Sequence, residues 1–319
     1  MRLVMMGTGP FAVPTFRGLF ATRHSVVALV TAPVRPPLPG RPALPAPVRA
    51  VGEELGVEIF DPEDVNAEAS RGRLAGFRAD LFVVCDYGQI LSAQTLATAR
   101  LGGINLHASL LPKYRGAAPI NWAIYHGEAE TGVTVIHMTP KLDAGPCIAQ
   151  GRIEIRSDET AGQLEGRLSE IGAWLVVRTL DSIEEGRLEA LPQNPALASR
   201  APKLKKTDGL IDWSRPAEAI RNQIRAMDPW PKTYTYWHRA KGPPLRLIVG
   251  PASVVDQIPA DPEPGTVAEA AGDRLVVATG CGGLLVRTLQ PAGKREMSID
   301  ELLRGYPIRP GDRFGAENT

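Results

Sequence analysis

Between residues 2 and 138, short apolar runs alternate with amphipathic stretches, and this alternation restricts the possible folds more than any other feature. RLVMM (2–6), SVVALVT (25–31), DLFVVC (80–85), LGGINLHA (101–108) and GVTVIHM (132–138) read as strands. Helix-like segments lie between them at 13–22, 47–55, 91–99 and 118–126. Parallel strands need such crossovers, so an α/β fold with a doubly wound, Rossmann-like, mostly parallel sheet is predicted. Its chemistry then belongs at the carboxyl ends of the strands. The stretch PVRPPLPGRPALPAP (33–47) is too rich in proline for a helix or a central strand and reads as a stiff exposed loop, and long loops in compact domains are often functional.

The texture changes further along. Thr160 and Gln163 form a T-x-x-Q capping box, which predicts a helix running toward Gly186. The pattern then dissolves into Pro, Ala and Lys over 189–207, a linker composition. Beyond it, a short helix near 216–226 precedes alternating stretches at 233–238, 245–250, 265–269, 274–279 and 284–290, the spacing of a small OB-like β-barrel. The expected organisation is a catalytic domain over 1–188, a linker over 189–207 and a β-barrel domain over 208–319.

Composition narrows the function. The chain is 44% hydrophobic and 22% charged, as expected for a globular protein with real cores. No apolar run is long enough to span a bilayer, and MRLVMMGTGPF reads as a buried first strand rather than a signal peptide, so a cytoplasmic protein, monomeric by default and without a membrane partner, is expected. Three cysteines, Cys85, Cys147 and Cys281, have no metal-ligand spacing, and no metal is expected. The net charge is +1, yet no Asp or Glu precedes Glu53, whereas Arg2, Arg17, Arg23, Arg35, Arg41 and Arg49 do. A Gly-rich turn, Gly7-Thr8-Gly9-Pro10-Phe11-Ala12, satisfies the dinucleotide pattern G-x-G-x-x-(G/A). It lacks the acid about 20 residues on that would hold a ribose. Arg35 could serve an extra phosphate instead, but Pro10 removes an amide from the turn, and the glycines suffice to explain a tight strand-to-helix connection.

A better constellation lies in GGINLHASLLPKYRGAAPI (102–120). Asn105 and His107 share one face of a strand near its carboxyl end, since Pro112 ends regular pairing soon after. The loop TPKLDAGP (139–146) adds Asp143, its only acid. Each has an ordinary reading: a satisfied half-buried histidine, a strand-end amide, a turn-forming aspartate. Together they suit transfer of an acyl or formyl group to an amine, with donors for an oxyanion and a carboxylate to hold an imidazolium and receive a proton.

The run N105-L-H-A-S-L-L-P-K-Y-R-G116 with the later D143-A-G resembles the folate-dependent formyltransferase family, whose pattern is N-x-H-x-S-L-L-P-x-(W/Y)-R-G. GTGPFAVP, YGQIL (87–91), GAAPI (116–120), ETGVT (130–134), KLKKTDGLIDW (203–213) and IRAMDPWP (224–231) extend the resemblance along almost the whole chain. It implies 10-formyltetrahydrofolate as the formyl donor and, through the last two stretches, the α-amino group of methionine on initiator methionyl-tRNA as the acceptor. It assigns catalysis to Asn105, His107 and Asp143. It also assigns folate binding to Ser109, Leu110, Leu111 and Pro112, with backbone contacts from Tyr87, Gly88, Gln89, Ile90 and Leu91. Leu110 and Leu111 read equally as core residues, and Arg115 as either a phosphate contact or a loop support. Residues 208–319 balance 14 Lys/Arg against 14 Asp/Glu, so tRNA phosphates are better met by Arg200, Lys203, Lys205 and Lys206, or by Arg35 and Arg41 in the proline-rich loop. A linker lysine cluster can also be no more than a solvated face. The family pattern D-R-P-x-G-R-G-K-K-L is replaced in that loop by V34-R-P-P-L-P-G-R-P-A-L44, and Asp86 stands where Ala is common.

Overall fold

All five apolar runs pair into one sheet. The computed structural model describes residues 1–35, 46–258 and 262–318. The chain divides into two units, the first formed by Met1–Pro119, Glu130–Glu154 and Leu164–Pro202. In it, β1 (Arg2–Met6), β2 (Ser25–Val30), β3 (Ile59–Phe60), β4 (Leu81–Val84), β5 (Gly103–His107), β7 (Glu130–His137) and β8 (Cys147–Glu154) lie in the order β3-β2-β1-β4-β5-β7-β8. A separate two-residue strand, β6 (Arg115–Gly116), pairs in parallel with β9 (Arg200–Ala201). The first five strands of the main sheet are parallel, and β7 and β8 add to its edge antiparallel.

The crossovers are α1 (Val13–Phe20), α2 (Pro47–Glu54), α3 (Glu68–Gly76) and α4 (Ala93–Leu96). Leu3, Val4, Met5 and Met6 are all fully buried, which a strand achieves only when both faces of its sheet are covered. Strand order reverses between β1 and β4, so the crevice of a doubly wound sheet opens beyond Met6 and Val84. The chain continues through α5 (Pro119–Tyr125) and α6 (Ala161–Glu184). The predicted capping box opens α6: Thr160 N–H donates to Gln163 Oε1 at 3.0 Å and Gln163 N–H to Thr160 Oγ1 at 3.4 Å.

The second unit comprises Ile120–Ala129, Ile155–Gln163 and the residues from Lys203 on. After α7 (Ala217–Ala226) come β10 (Thr233–His238), β11 (Leu245–Val249), β12 (Ala252–Val255), β13 (Val267–Ala271), β14 (Arg274–Ala278), β15 (Gly283–Val286), β16 (Thr288–Pro291), β17 (Met297–Ser298), α8 (Ile299–Gly305) and β18 (Arg313–Gly315). Two antiparallel sheets, β17-β16-β11-β10-β18 and β12-β15-β14-β13, enclose one core that includes Trp213, Trp237, Leu247, Leu275, Leu284 and Phe314. The stretch 284–290, predicted as one strand, is two. Arg287 leaves the ladder to donate its N–H to Pro251 O at 2.9 Å, and the chain passes there from one sheet to the other. Among the described residues, no helix is long and apolar enough to cross a membrane.

Candidate active site

Strand β5 turns Ile104 and Leu106, both buried, toward one side, and Leu106 packs on Gly172 of α6. Asn105 and His107 therefore share the opposite face, as period two requires. His107 lies opposite Thr134 and Asn105 opposite Ile136 on β7. The His107 side chain is 7% exposed. Its Nε2–H donates to the Tyr114 carbonyl at 2.9 Å, and its Nδ1 stands 3.6 Å from Asp143 Oδ2. Both ring nitrogens thus face oxygen acceptors, an arrangement that imidazolium, with a donor on each nitrogen, satisfies. The Asn105 side chain is half-buried and hydrogen-bonds to no other described residue, so its donor is available at the strand end.

Asp143 comes from a loop 36 positions later in the chain and is equally enclosed, with 8% of its side chain exposed. Its backbone is left-handed at φ 48°, which aspartate tolerates better than most residues. Its Oδ2 accepts the Gly116 N–H at 2.9 Å, so the end of the N-x-H motif run holds the carboxylate that faces the motif's histidine. The structure therefore brings Asn105, His107 and Asp143 together.

The segment after β5 is fixed largely by Thr134. Its hydroxyl donates to Ser109 O at 2.7 Å and accepts Leu111 N–H at 3.1 Å, while Gln150 Nε2 donates to Leu111 O at 2.8 Å. Ser109 is fully buried and its hydroxyl donates to Lys113 O at 2.7 Å, so it braces the loop from within. Leu111 is 5% exposed and belongs to the core, and Leu110 is half-buried over Gly132. Pro112 follows a cis peptide bond and is half-buried.

Residues 87–91 lie beyond β4, at the crevice. Gln89 points inward, accepting Val65 N–H at 2.9 Å and donating to Pro62 O at 3.2 Å, and Asn66 Nδ2 donates to Ile90 O at 2.9 Å. Tyr87 and Leu91 are buried, and burial pushes the Tyr87 phenol well above its ordinary range. The N–H groups of Gly88, Gln89 and Ile90 bond to no described residue, and Ile90 is 57% exposed. Unpaired amides beside an exposed apolar side chain suit a flat heterocycle with polar edges, and so fit a pterin.

The Gly-rich turn is explained by its neighbours. Thr8 N–H donates to Asp86 O at 2.9 Å, Thr8 Oγ1 to Tyr87 O at 3.1 Å, and a Cβ at Gly9 would collide with the Asp86 carboxylate. A carboxylate against the turn opposes a pyrophosphate, which removes the dinucleotide reading. Asp86 is exposed as a whole residue, and its carboxylate lies against Gly9. Burial, with help from Glu165 on α6, pushes it up to about 6.

An unfolded Asp86 titrates near 3.8, so the folded chain holds this proton more tightly. Its contribution to stability therefore falls as pH rises from about 4 to about 6 and stays constant above. Asp86→Asn is expected to melt higher than the parent at neutral pH, with the gap closing toward pH ~4. Thermal melts across that window check this, and equal melting temperatures at neutral pH would contradict it.

Arg115 proves to be a loop support. Its Nε and Nη2 donate to Gln193 Oε1 at 3.1 and 2.6 Å, while its N–H donates to Ser199 O at 2.9 Å. The stretch read as a linker is bound into the first unit as far as Pro202: Leu191 and Cys147 exchange backbone hydrogen bonds at 2.8 Å, and Ser199 Oγ accepts Tyr114 N–H at 2.9 Å. Backbone pairing carries most of this attachment, and composition does not signal such pairing. Gln193, Thr134 and Gln150 were missed in the sequence because nothing in their spacing separates them from ordinary loop and strand residues. Gly116 is left-handed at φ 129°, and a Cβ there would strike the Ala201 carbonyl. Gly116→Ala is expected to cost about 2 kcal/mol or more and to lower turnover through the Asp143 contact, measured by denaturant unfolding beside the assay.

Arg200, Lys203, Lys205, Lys206 and Arg35 are all exposed, whereas Arg41 lies outside the described residues. No group of three or more His, Cys, Asp or Glu gathers to hold a metal among the described residues.

A buried His–Asp pair and a half-buried asparagine amide at the carboxyl end of a doubly wound sheet form an arrangement that suits group transfer at a carbonyl carbon. Residues 1–180 match the formyl transferase family model, and residues 203–307 match the model of the formyl transferase C-terminal domain. Over 319 residues the chain is 41% identical to the methionyl-tRNA formyltransferase of Citrifermentans bemidjiense, covering 100% of this chain and 98% of that protein. It is 42% identical to the methionyl-tRNA formyltransferase of Moorella thermoacetica, with 99% of each covered. The chain belongs to the formyl transferase family, on its methionyl-tRNA formyltransferase branch. An N-formyltransferase from Helicobacter canadensis, solved with folinic acid and dTDP-3-aminofucose, shares the fold at TM-score 0.66 and 17% identity, covering 91% of this chain and 98% of that one.

Proposed function

We propose that the protein transfers the formyl group of 10-formyltetrahydrofolate to the α-amino group of methionine esterified to initiator tRNA. Juxtaposition of the Asn105 amide, the His107 ring and the Asp143 carboxylate carries the reading, supported by the identity with methionyl-tRNA formyltransferases over the full chain. The folate supplies an activated formyl carbon. The N–H groups of Gly88, Gln89 and Ile90 and the exposed Ile90 side chain would hold the pterin, with Leu110 and Pro112 along it.

As the amine adds to the formyl carbon, the formyl oxygen gains negative charge, and Asn105 Nδ2 is the donor free to meet it. His107 already gives Nε2–H to the Tyr114 carbonyl, so its contact with the oxygen requires exchange of that partner. Asp143 balances the imidazolium through the reaction and takes up the amine proton, directly or through water. Net transfer breaks the bond from formyl carbon to folate nitrogen, forms the amide, and moves one proton from the amine to that nitrogen. The exposed cations Arg200, Lys203, Lys205, Lys206 and Arg35 would meet tRNA phosphates.

Incubation with formyl-labelled 10-formyltetrahydrofolate and methionyl-initiator tRNA tests the reading. Label is expected in N-formylmethionine after deacylation of the tRNA. Label recovered wholly as formate would overturn it.

A further inference from the structure

Asp143 holds a left-handed backbone within a loop that belongs to no helix or strand, yet its carboxylate must stay within reach of His107. Gln193 spans the gap. Its Nε2 donates to the Asp143 carbonyl at 2.8 Å and to the Gly145 carbonyl at 2.7 Å. Its Oε1 accepts the two Arg115 hydrogen bonds, and guanidinium, which only donates, fixes which end of the amide faces the loop. The amide thus makes four hydrogen bonds, two in each direction. Arg115 in turn precedes Gly116, whose N–H holds the Asp143 side chain. Backbone and side chain of Asp143 are therefore gripped by one connected network, in which Gln193 reaches the loop backbone from the far segment.

We propose that Gln193 is a positioning residue for the Asp143 carboxylate, with Arg115 setting the orientation of its amide. The proposal rests on the role assigned to Asp143 above. Gln193 itself touches no reacting atom. It acts by keeping the 143–145 turn in the conformation that aims the carboxylate at His107.

The test is a double-mutant cycle on the full chain, assaying formyl transfer to methionyl-tRNA. Gln193→Met keeps the side-chain length and removes all four hydrogen bonds. Gln193→Glu keeps the acceptor for Arg115 and removes both donors to the loop, and it serves should the Met variant fail to fold. Either variant is expected to lower kcat tenfold or more, leave KM for both substrates within twofold, and shift the pH profile of kcat. In an Asp143→Asn background the same change is expected to lower kcat less than twofold further, because the residue acts through Asp143.

Near-parental kcat in both Gln193 variants, or losses that multiply in the double variant, would overturn the proposal while leaving the role of Asp143 intact. Near-parental turnover in Asp143→Asn alone would overturn that role first.

Discussion

Asp143→Asn is expected to lower turnover at least about a hundredfold while leaving the protein folded, the range seen when a positioned acid–base group is removed. Asparagine is the informative replacement. It tolerates the left-handed backbone at φ 48°, and its side-chain oxygen can still accept the Gly116 N–H that Asp143 Oδ2 accepts at 2.9 Å. What disappears is the carboxylate 3.6 Å from His107 Nδ1, and with it the group proposed to balance the ring and to take up the amine proton. Asp143→Ala removes the side-chain contact as well and adds strain of about 1 kcal/mol at this backbone, so it should show the same catalytic loss with a lower melting temperature. Steady-state kinetics paired with thermal melts separates the two effects.

Asn105→Ala is expected to cost about 3 to 4 kcal/mol of transition-state stabilisation, or roughly a hundred- to a thousandfold in kcat. The loss should fall on kcat rather than on KM, since the charge met by the amide develops only during reaction. Stability should change little, because no described residue relies on the Asn105 side chain as a hydrogen-bond partner. A variant with raised KM and unchanged kcat would show that Asn105 binds the ground state instead.

The first-unit sheet was legible because strands buried on both faces, such as Arg2–Met6 and Leu81–Val84, are apolar nearly throughout. Strand Cys147–Glu154 was not: it lies on the sheet edge, its residues are half-buried or exposed, and CIAQGRIE shows no clean alternation. The candidate set was legible for a different reason. Asn105 and His107 are two apart on one strand, and Asp143 is the lone acid of its loop. Their supports were not, because they are largely backbone groups, the Tyr114 carbonyl and the Gly116 N–H, or side chains such as Gln193 brought from 50 residues beyond Asp143. Asp86 illustrates the same limit. Its identity is plain in the sequence, but only the fold shows it seated against Gly9.

One competition experiment decides which amine accepts the formyl group. The purified protein is given formyl-labelled 10-formyltetrahydrofolate together with equal concentrations of methionyl-initiator tRNA and a nucleotide-linked amino sugar. The expected result is label on the methionyl-tRNA, and the Asp143→Asn protein should show that signal reduced at least about a hundredfold. Label on the amino sugar with none on the tRNA would contradict it.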